Sequence, residues 1–168
     1  MIQAARVPSD HHRTRRHSDV GRVFGSYRTL GLMGEGGMGR VFLAEHTRLG
    51  RKVALKLLKP QLARRPGMLQ QFFDEARAVN RIRHPNIVDV VDFVAEGDEA
   101  YYIMEYLPGR SLSQTLRENG GPLPVDRALN IAAQVADALQ AAHESGIVHL
   151  DVKPSNILLQ TNGGGTER

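Results

Sequence analysis

The chain has 168 residues, 41% of them hydrophobic and 24% charged, enough for one domain with a core or for most of one. It contains no cysteine and no tryptophan, and aromatic residues make up only 5%; this excludes disulfides and Cys-based zinc sites and argues against stacking platforms for single-stranded nucleic acid. The formal charge of +4 is concentrated at the N-terminus, where Arg6, Arg13, Arg15, Arg16 and Arg22 stand against Asp10 and Asp19, so the body of the chain is nearly neutral and no nucleic-acid partner is expected.

Residues 1–26 are polar, basic and without period, the composition of a disordered leader. The N-terminus is charged where a signal peptide needs an apolar stretch. No run approaches the roughly 18 apolar residues of a membrane span. The expected compartment is the cytoplasm.

From Tyr27 the pattern becomes periodic. Segments 27–33 and 40–45 read as strands flanking the turn Gly34-Glu35-Gly36-Gly37-Met38-Gly39. Segment 52–59 is a third strand, ended by Pro60, which cannot donate to a ladder. Residues 67–83 read as a helix with one apolar stripe of Met68, Leu69, Phe72, Phe73, Ala76, Val79 and Ile82, broken by His84-Pro85-Asn86. Segments 87–95 and 100–106 are two more strands. A short helix starts near Ser111. A longer one begins at Pro124, with Val125, Ala128, Leu129, Ala132, Val135, Ala136, Leu139 and Ala142 at helical spacing and Gly146 as its cap. Segment 156–160 is a last strand, and 162–165 opens a turn. This order, five strands with one inserted helix and then mostly helix, predicts an α+β architecture: a small antiparallel sheet lobe joined to a helical one.

Gly34-x-Gly36-x-x-Gly39 by itself matches either a phosphate-binding loop or a dinucleotide fingerprint, and glycine clusters are often only turns. A dinucleotide site requires a helix after the last glycine. Here Arg40-Val41-Phe42-Leu43-Ala44 follows, with strand propensity, so the glycines sit at a hairpin tip. There they let backbone N–H groups approach phosphate oxygens. The next strand carries Val53-Ala54-Leu55-Lys56. A lysine in an apolar strand is costly to bury unpaired; it either snorkels to solvent or pairs with Glu75, 19 residues later on the following helix.

Further on, His149-Leu150-Asp151-Val152-Lys153-Pro154-Ser155-Asn156 places Asp, Lys and Asn at spacings of two and three after an apolar helix. A lone Asp there is usually a cap or turn residue. Phosphoryl transfer, however, needs a carboxylate for the hydroxyl proton, a cation on the moving phosphate and an oxygen ligand for a metal, and this segment holds one of each.

Gly34 to Val41, Val53 to Lys56 with Glu75, and the segment from His149 to Asn156 together resemble the protein kinase family; Lys-Pro-x-Asn and the Met-Glu-Tyr segment at 104–106 are similar to bacterial eukaryotic-like Ser/Thr kinases. The resemblance covers residue 27 to about residue 160. It implies an N-lobe with hinge over 27–107 and a partial C-lobe over 108–168. It implies ATP and Mg²⁺ as ligands and protein hydroxyls as acceptors, with the identity of the protein substrate open. Met33, Gly34, Gly36, Gly37, Gly39 and Val41 would surround the nucleotide with Ala54, Met104 and Leu158. Lys56 would hold the α- and β-phosphates, and Glu75 would hold Lys56. Backbone groups of Glu105 and Leu107 would meet the adenine edge. Asp151 would be the base, Lys153 would contact the γ-phosphate, and Asn156 would bind Mg²⁺.

Two features depart from the family pattern. Leu150 replaces the arginine of His-Arg-Asp, which removes the group that pairs with a phosphorylated activation loop. No Asp-Phe-Gly occurs between Asn156 and Arg168. The chain therefore reads as a fragment, cut within a hairpin. The expectations are a strand at 156–160 without its hairpin partner, an exposed apolar stripe on the long helix, and a polypeptide with weak or no activity alone. The alternative reading is a non-catalytic nucleotide-binding or interaction module derived from a kinase.

Overall fold

The computed structural model describes residues 19–97 and 99–160. The expected turn at 162–165 and most of the basic leader lie outside them. The described residues form two compact units, one of 19–76 with 89–106, the other of 77–88 with 107–160. The division falls between Tyr106 and Leu107, but residues 77–88 belong to the second unit, which the sequence did not suggest.

The first unit is a six-stranded antiparallel sheet. Its strands are β1 (Val23–Phe24), β2 (Tyr27–Glu35), β3 (Gly39–His46), β4 (Lys52–Leu58), β5 (Val90–Glu96) and β6 (Glu99–Glu105), in the order β1-β2-β3-β4-β6-β5. Pro60 does end β4, and it also opens a one-turn helix α1 (Pro60–Ala63), since a missing N–H costs nothing at a first-turn position. Helix α2 spans Met68–Asn80, shorter at both ends than the periodicity implied.

Register explains the core. Arg40, Phe42 and Ala44 pair with Leu57, Leu55 and Val53, and Leu55 and Leu57 pair in turn with Ile103 and Tyr101. Because successive side chains alternate between faces, these residues share one face of the sheet. Val41, Lys56, Ala54, Tyr102 and Met104, one residue out of phase, share the other. The second face is covered by α2, whose Phe72 ring lies 4.8 Å from Tyr102 and whose Phe73 ring lies 5.2 Å from Phe93.

The first face is covered by the residues just before Tyr27. This corrects the expectation of a disordered stretch reaching residue 26. Val23 and Phe24 pair with Arg28 and Tyr27. Phe24 is only 2% exposed, within a cluster of Phe42, Ala44, Val53, Leu55, Leu57, Tyr101 and Ile103, edge-on to Tyr101 at 5.5 Å. The basic composition hid one large apolar side chain that the sheet requires.

The second unit is mainly helical. In α3 (Leu112–Glu118) Ser111 and Gln114 form a reciprocal capping box: each side chain satisfies the other's backbone N–H, at 3.2 and 2.8 Å. In α4 (Val125–Glu144) Pro124 is the N-cap rather than the first helical residue. The C-terminus closes as a Schellman motif. Gly146, at φ +72°, donates to His143 carbonyl at 2.9 Å, and Ile147 donates to Ala142 carbonyl at 2.9 Å. The face of α4 that packs includes Ile131 and Ala142, both buried, and Gln134, which accepts from the Asn86 carboxamide at 3.0 Å. Val125 and Leu129 of the predicted stripe are exposed. The helix is thus apolar on more than one side.

The last predicted strand resolves into a 3-10 turn (Pro154–Asn156) and a two-residue strand. That strand has an upstream partner the sequence did not suggest: β7 (Arg110–Ser111) pairs with β8 (Leu158–Leu159), extended by Leu112 N–H donating to Ile157 carbonyl at 2.8 Å. Among the described residues no helix is long and apolar enough to cross a membrane.

Truncating Phe24 to Ala should cost about 3 kcal/mol, since it empties a closed apolar site. The exposed neighbour Val23→Ala should stay within about 0.5 kcal/mol. Urea denaturation followed by circular dichroism measures both; equal midpoints for the two variants would show that residues 19–26 are not part of the fold.

Candidate active site

Lys56 is buried in the middle of β4, its side chain 6% exposed. Its Nζ lies 2.8 Å from Glu75 Oε1 on α2, which is 7% exposed. The snorkelling alternative is therefore excluded. Two rings complete the surroundings: Nζ lies 5.3 Å from the Tyr102 centroid and 5.8 Å from that of Phe72, where ring faces attract a cation. The Tyr102 hydroxyl donates to the same Glu75 oxygen at 3.3 Å. Burial, reinforced by the Glu75 charge and that hydrogen bond, pushes the tyrosine hydroxyl far above its ordinary range, so it remains a donor. Tyr102 and Phe72 were not singled out from the sequence. The signal was present in strand pairing, because Tyr102 is the direct cross-strand neighbour of Lys56.

The glycine-rich segment is the tip of the β2–β3 hairpin. Met33 and Gly34 lie in β2. Gly34 pairs with Val41 and Glu35 with Arg40, and Gly36 N–H donates to Gly39 carbonyl at 2.9 Å around Gly37 and Met38. Gly39 has a purely steric requirement. A Cβ there would meet the Leu57 carbonyl oxygen at 2.4 Å, so any side chain would force β3 away from β4. Ala54 and Met104 are paired with each other on the same face as Lys56 and Val41. Glu105 ends β6, and its N–H donates to Asp89 carbonyl at 3.0 Å.

In the second unit Asp151, Lys153 and Asn156 converge. Lys153 Nζ lies 2.9 and 2.6 Å from the two Asp151 carboxylate oxygens. The Asn156 carboxamide nitrogen donates to Asp151 carbonyl at 2.8 Å and to its Oδ2 at 3.1 Å. The hydrogen bond from Lys153, followed by that from Asn156 and the Lys153 charge, holds the Asp151 carboxyl below its ordinary value despite some desolvation. Leu150 is 80% exposed and adopts φ +50°, a left-handed conformation that costs an L-residue roughly 1–2 kcal/mol. It closes a tight turn in which Asp151 N–H donates to His149 carbonyl at 2.6 Å, and so aims the Asp151 side chain. Leu158 lies in β8, and Leu107 follows β6.

The structure therefore brings the sequence-selected residues together in two sets. Lys56 and Glu75 meet in the first unit, beside a sheet face that also carries Val41, Ala54 and Met104. Asp151, Lys153 and Asn156 meet in the second. The protein kinase domain family profile matches residues 27–164. The chain belongs to the protein kinase domain family.

Bacterial kinases are among the proteins it resembles. Serine/threonine-protein kinase Pkn1 of Myxococcus xanthus is 46% identical over 145 residues, 86% of this chain and 20% of that protein. PrkC of Bacillus subtilis is 41% identical over 142 residues, 84% of this chain and 22% of that protein. The crystal structure of the Mycobacterium tuberculosis PknI kinase domain superposes with a TM-score of 0.72 at 32% identity, covering 88% of this chain and 59% of that one. The chain thus spans about a fifth of the length of these curated relatives. The expected kinase-like α+β fold is the observed one.

Two measurements follow from this geometry. Glu75→Gln should cost about 3 kcal/mol by leaving Lys56 buried without a counter-charge, whereas Lys56→Met with Glu75→Gln should recover more than half of that; additive losses in urea denaturation would sink this account of the pair. For Asp151, carboxyl NMR titration should give a midpoint below the ordinary 3.8, moved up by Lys153→Met. Because the folded carboxyl is the more acidic one, its contribution to stability is complete above the unfolded value and is lost as the pH falls through the folded one. A midpoint unmoved by Lys153→Met would rule out Lys153 as its cause.

Proposed function

We propose that the chain is the ATP-binding and catalytic-loop portion of a bacterial Ser/Thr protein kinase. The observation that carries this reading is the buried Lys56–Glu75 pair, on the strand after a glycine-tipped hairpin, in a chain of the protein kinase domain family. A cation so deeply buried needs a reason beyond stability, because apolar replacement of such pairs is often neutral. Presentation of a fixed positive charge to phosphate oxygens supplies that reason.

In this reading Lys56 binds the α- and β-phosphates, and Glu75 with Tyr102 fixes its rotamer. The turn that Gly36 N–H closes on the Gly39 carbonyl brings the side-chain-free backbone of Gly34, Gly36, Gly37 and Gly39 to the phosphates. Met33, Val41, Ala54, Met104 and Leu158 enclose adenine. Glu105 N–H is committed to Asp89, so the adenine contact at Glu105 falls to its carbonyl, and that at Leu107 to its backbone. The carboxamide oxygen of Asn156 is a hard donor that suits Mg²⁺. When bound there, Mg²⁺ supplies positive charge against the transferring phosphate.

In the chemical step Asp151 accepts the proton of a substrate serine or threonine hydroxyl as its oxygen bonds to the γ-phosphorus. The bond from that phosphorus to the bridging oxygen breaks, and ADP leaves with the electron pair. Lys153 moves its ammonium from Asp151 to the γ-phosphate oxygens, which both neutralises charge there and frees the carboxylate to act. The downward shift of the Asp151 carboxyl below its ordinary range keeps it ionised at neutral pH, the state a proton acceptor needs.

The second reading, a non-catalytic nucleotide-binding module, shares the nucleotide contacts and differs in the transfer step. Titration of the 168-residue chain with a fluorescent ATP analogue should show binding that ATP competes and adenosine competes less well. Lys56→Met should weaken ATP by about tenfold. Equal competition by adenosine and ATP would overturn the reading. Transfer of labelled γ-phosphate to a generic basic protein separates the two readings: robust transfer decides against the nucleotide-binding module, and background transfer with intact ATP binding favours it.

A further inference from the structure

The two arms of the glycine-rich hairpin carry opposite charges in direct register, Glu35 on β2 and Arg40 on β3. Opposite charges facing each other across strands ordinarily pair. Here they do not. Glu35 Oε1 lies 3.1 Å from Lys59 Nζ at the end of β4, and Lys59 N–H also donates to Met38 carbonyl at 3.0 Å. Arg40 instead turns away from the hairpin. Its Nη2 lies 2.5 Å from Asp19 Oδ2, and its guanidinium lies 5.6 Å from the Phe42 ring centroid.

Asp19 is one of the few buried charged residues among the described residues, 7% exposed. It is itself firmly held. Its carbonyl accepts from the Thr29 hydroxyl. Its Oδ1 accepts from Arg22 at 3.3 Å, and Arg22 also pairs with Glu99. Gly21 N–H donates to Thr29 carbonyl at 2.8 Å. The segment is fastened to the sheet by Phe24 as well, on the face opposite Lys56.

We infer that Asp19 is a positioning residue for the phosphate-binding hairpin, tying its return arm to the N-terminal segment through Arg40. The inference rests on the reading that the hairpin cradles phosphates. Gly39 has no side chain with which to lock the hairpin tip, and Arg40 is the next residue along. A buried carboxylate on Arg40 is therefore the nearest point at which the return arm can be immobilised. Removing one partner of a buried pair also costs more than breaking the usual exposed one, because it leaves a buried charge uncompensated. Lys59 anchors one side of the hairpin and Asp19 the other, so the glycine backbone is held ready rather than ordered by the nucleotide.

The test uses the full 168-residue chain and the variants Asp19→Asn, Arg40→Gln and the charge swap Asp19→Arg with Arg40→Asp. Asp19→Asn should speed amide hydrogen exchange at residues 36–41 while leaving the amides of 101–104 unchanged. It should weaken ATP by about fivefold, within the range of coupling between contacting charges, and leave adenosine affinity unchanged. Arg40→Gln should do the same, and the swap should restore part of the loss. If adenosine and ATP weaken equally, or only thermal stability changes, Asp19 is a structural residue and the inference fails. If wild-type chain does not prefer ATP to adenosine, the phosphate-cradle reading fails with it. Arg40→Gln and the exchange measurement decide the matter even if Asp19→Asn does not fold.

Discussion

A single lysine side chain sets the terms for the first unit. Lys56 stands in β4, which is flanked on both sides by paired strands, so its charge has no route to water along the sheet plane. Only an element packed on that face can satisfy it. Glu75 does so from the second turn of α2, and the position of the helix on the sheet is then constrained by an electrostatic contact as well as by Phe72 and Phe73. Tyr102 belongs to the same arrangement because the antiparallel register places it beside Lys56. A helix rotated by one residue would bury Phe72 and Phe73 differently and leave the lysine charged in an apolar setting, a cost of several kcal/mol. The pair thus acts as a register device.

The Asp151–Lys153–Asn156 cluster is built on different principles. Its residues are partly exposed, and their order comes from local hydrogen bonds. Asn156 reaches back five residues to Asp151, Lys153 reaches back two, and the 3-10 turn beginning at Pro154 shortens the path between them. The whole arrangement depends on Leu150 tolerating a left-handed backbone. Strain at such a position persists only where its surroundings fix it. Here the His149–Asp151 turn, the short β7–β8 pairing and the α3 cap lie on either side in the same unit.

Much of this was legible in the residues themselves. The strands of 27–58 and the α2 stripe followed from alternation and helical spacing; for Lys56 the cost of an unpaired buried cation left snorkelling and pairing with Glu75 open, and the family resemblance chose between them. The Asp-Lys-Asn constellation followed from chemistry and spacing. The misses have physical causes. Phe24 lies in a basic, polar stretch, and one ring in such a stretch leaves no period. β7 and β8 are two residues each, too short for alternation to register, so the partner of the last strand was invisible. Gln134 on the packed side of α4 reads as polar surface until Asn86 is brought against it. Asp19 and Arg40 are far apart in sequence and look like two more members of a charged leader and a charged turn.

The outer strands of the sheet have a further consequence, which concerns self-association. An unpaired strand edge is a template for another chain. At one side β1 covers only the start of β2, and the remaining edge of β2 is broken by register shifts between Thr29 and Gly31 and between Leu32 and Gly34. At the other the edge is β5, whose register slips between Val90 and Asp92 and whose length bears Asp92 and Glu96. Neither edge presents a long, straight, uncharged row of backbone groups. The apolar strands that surround Lys56 are kept in the interior of the sheet, where the pairing that would make them sticky is already used.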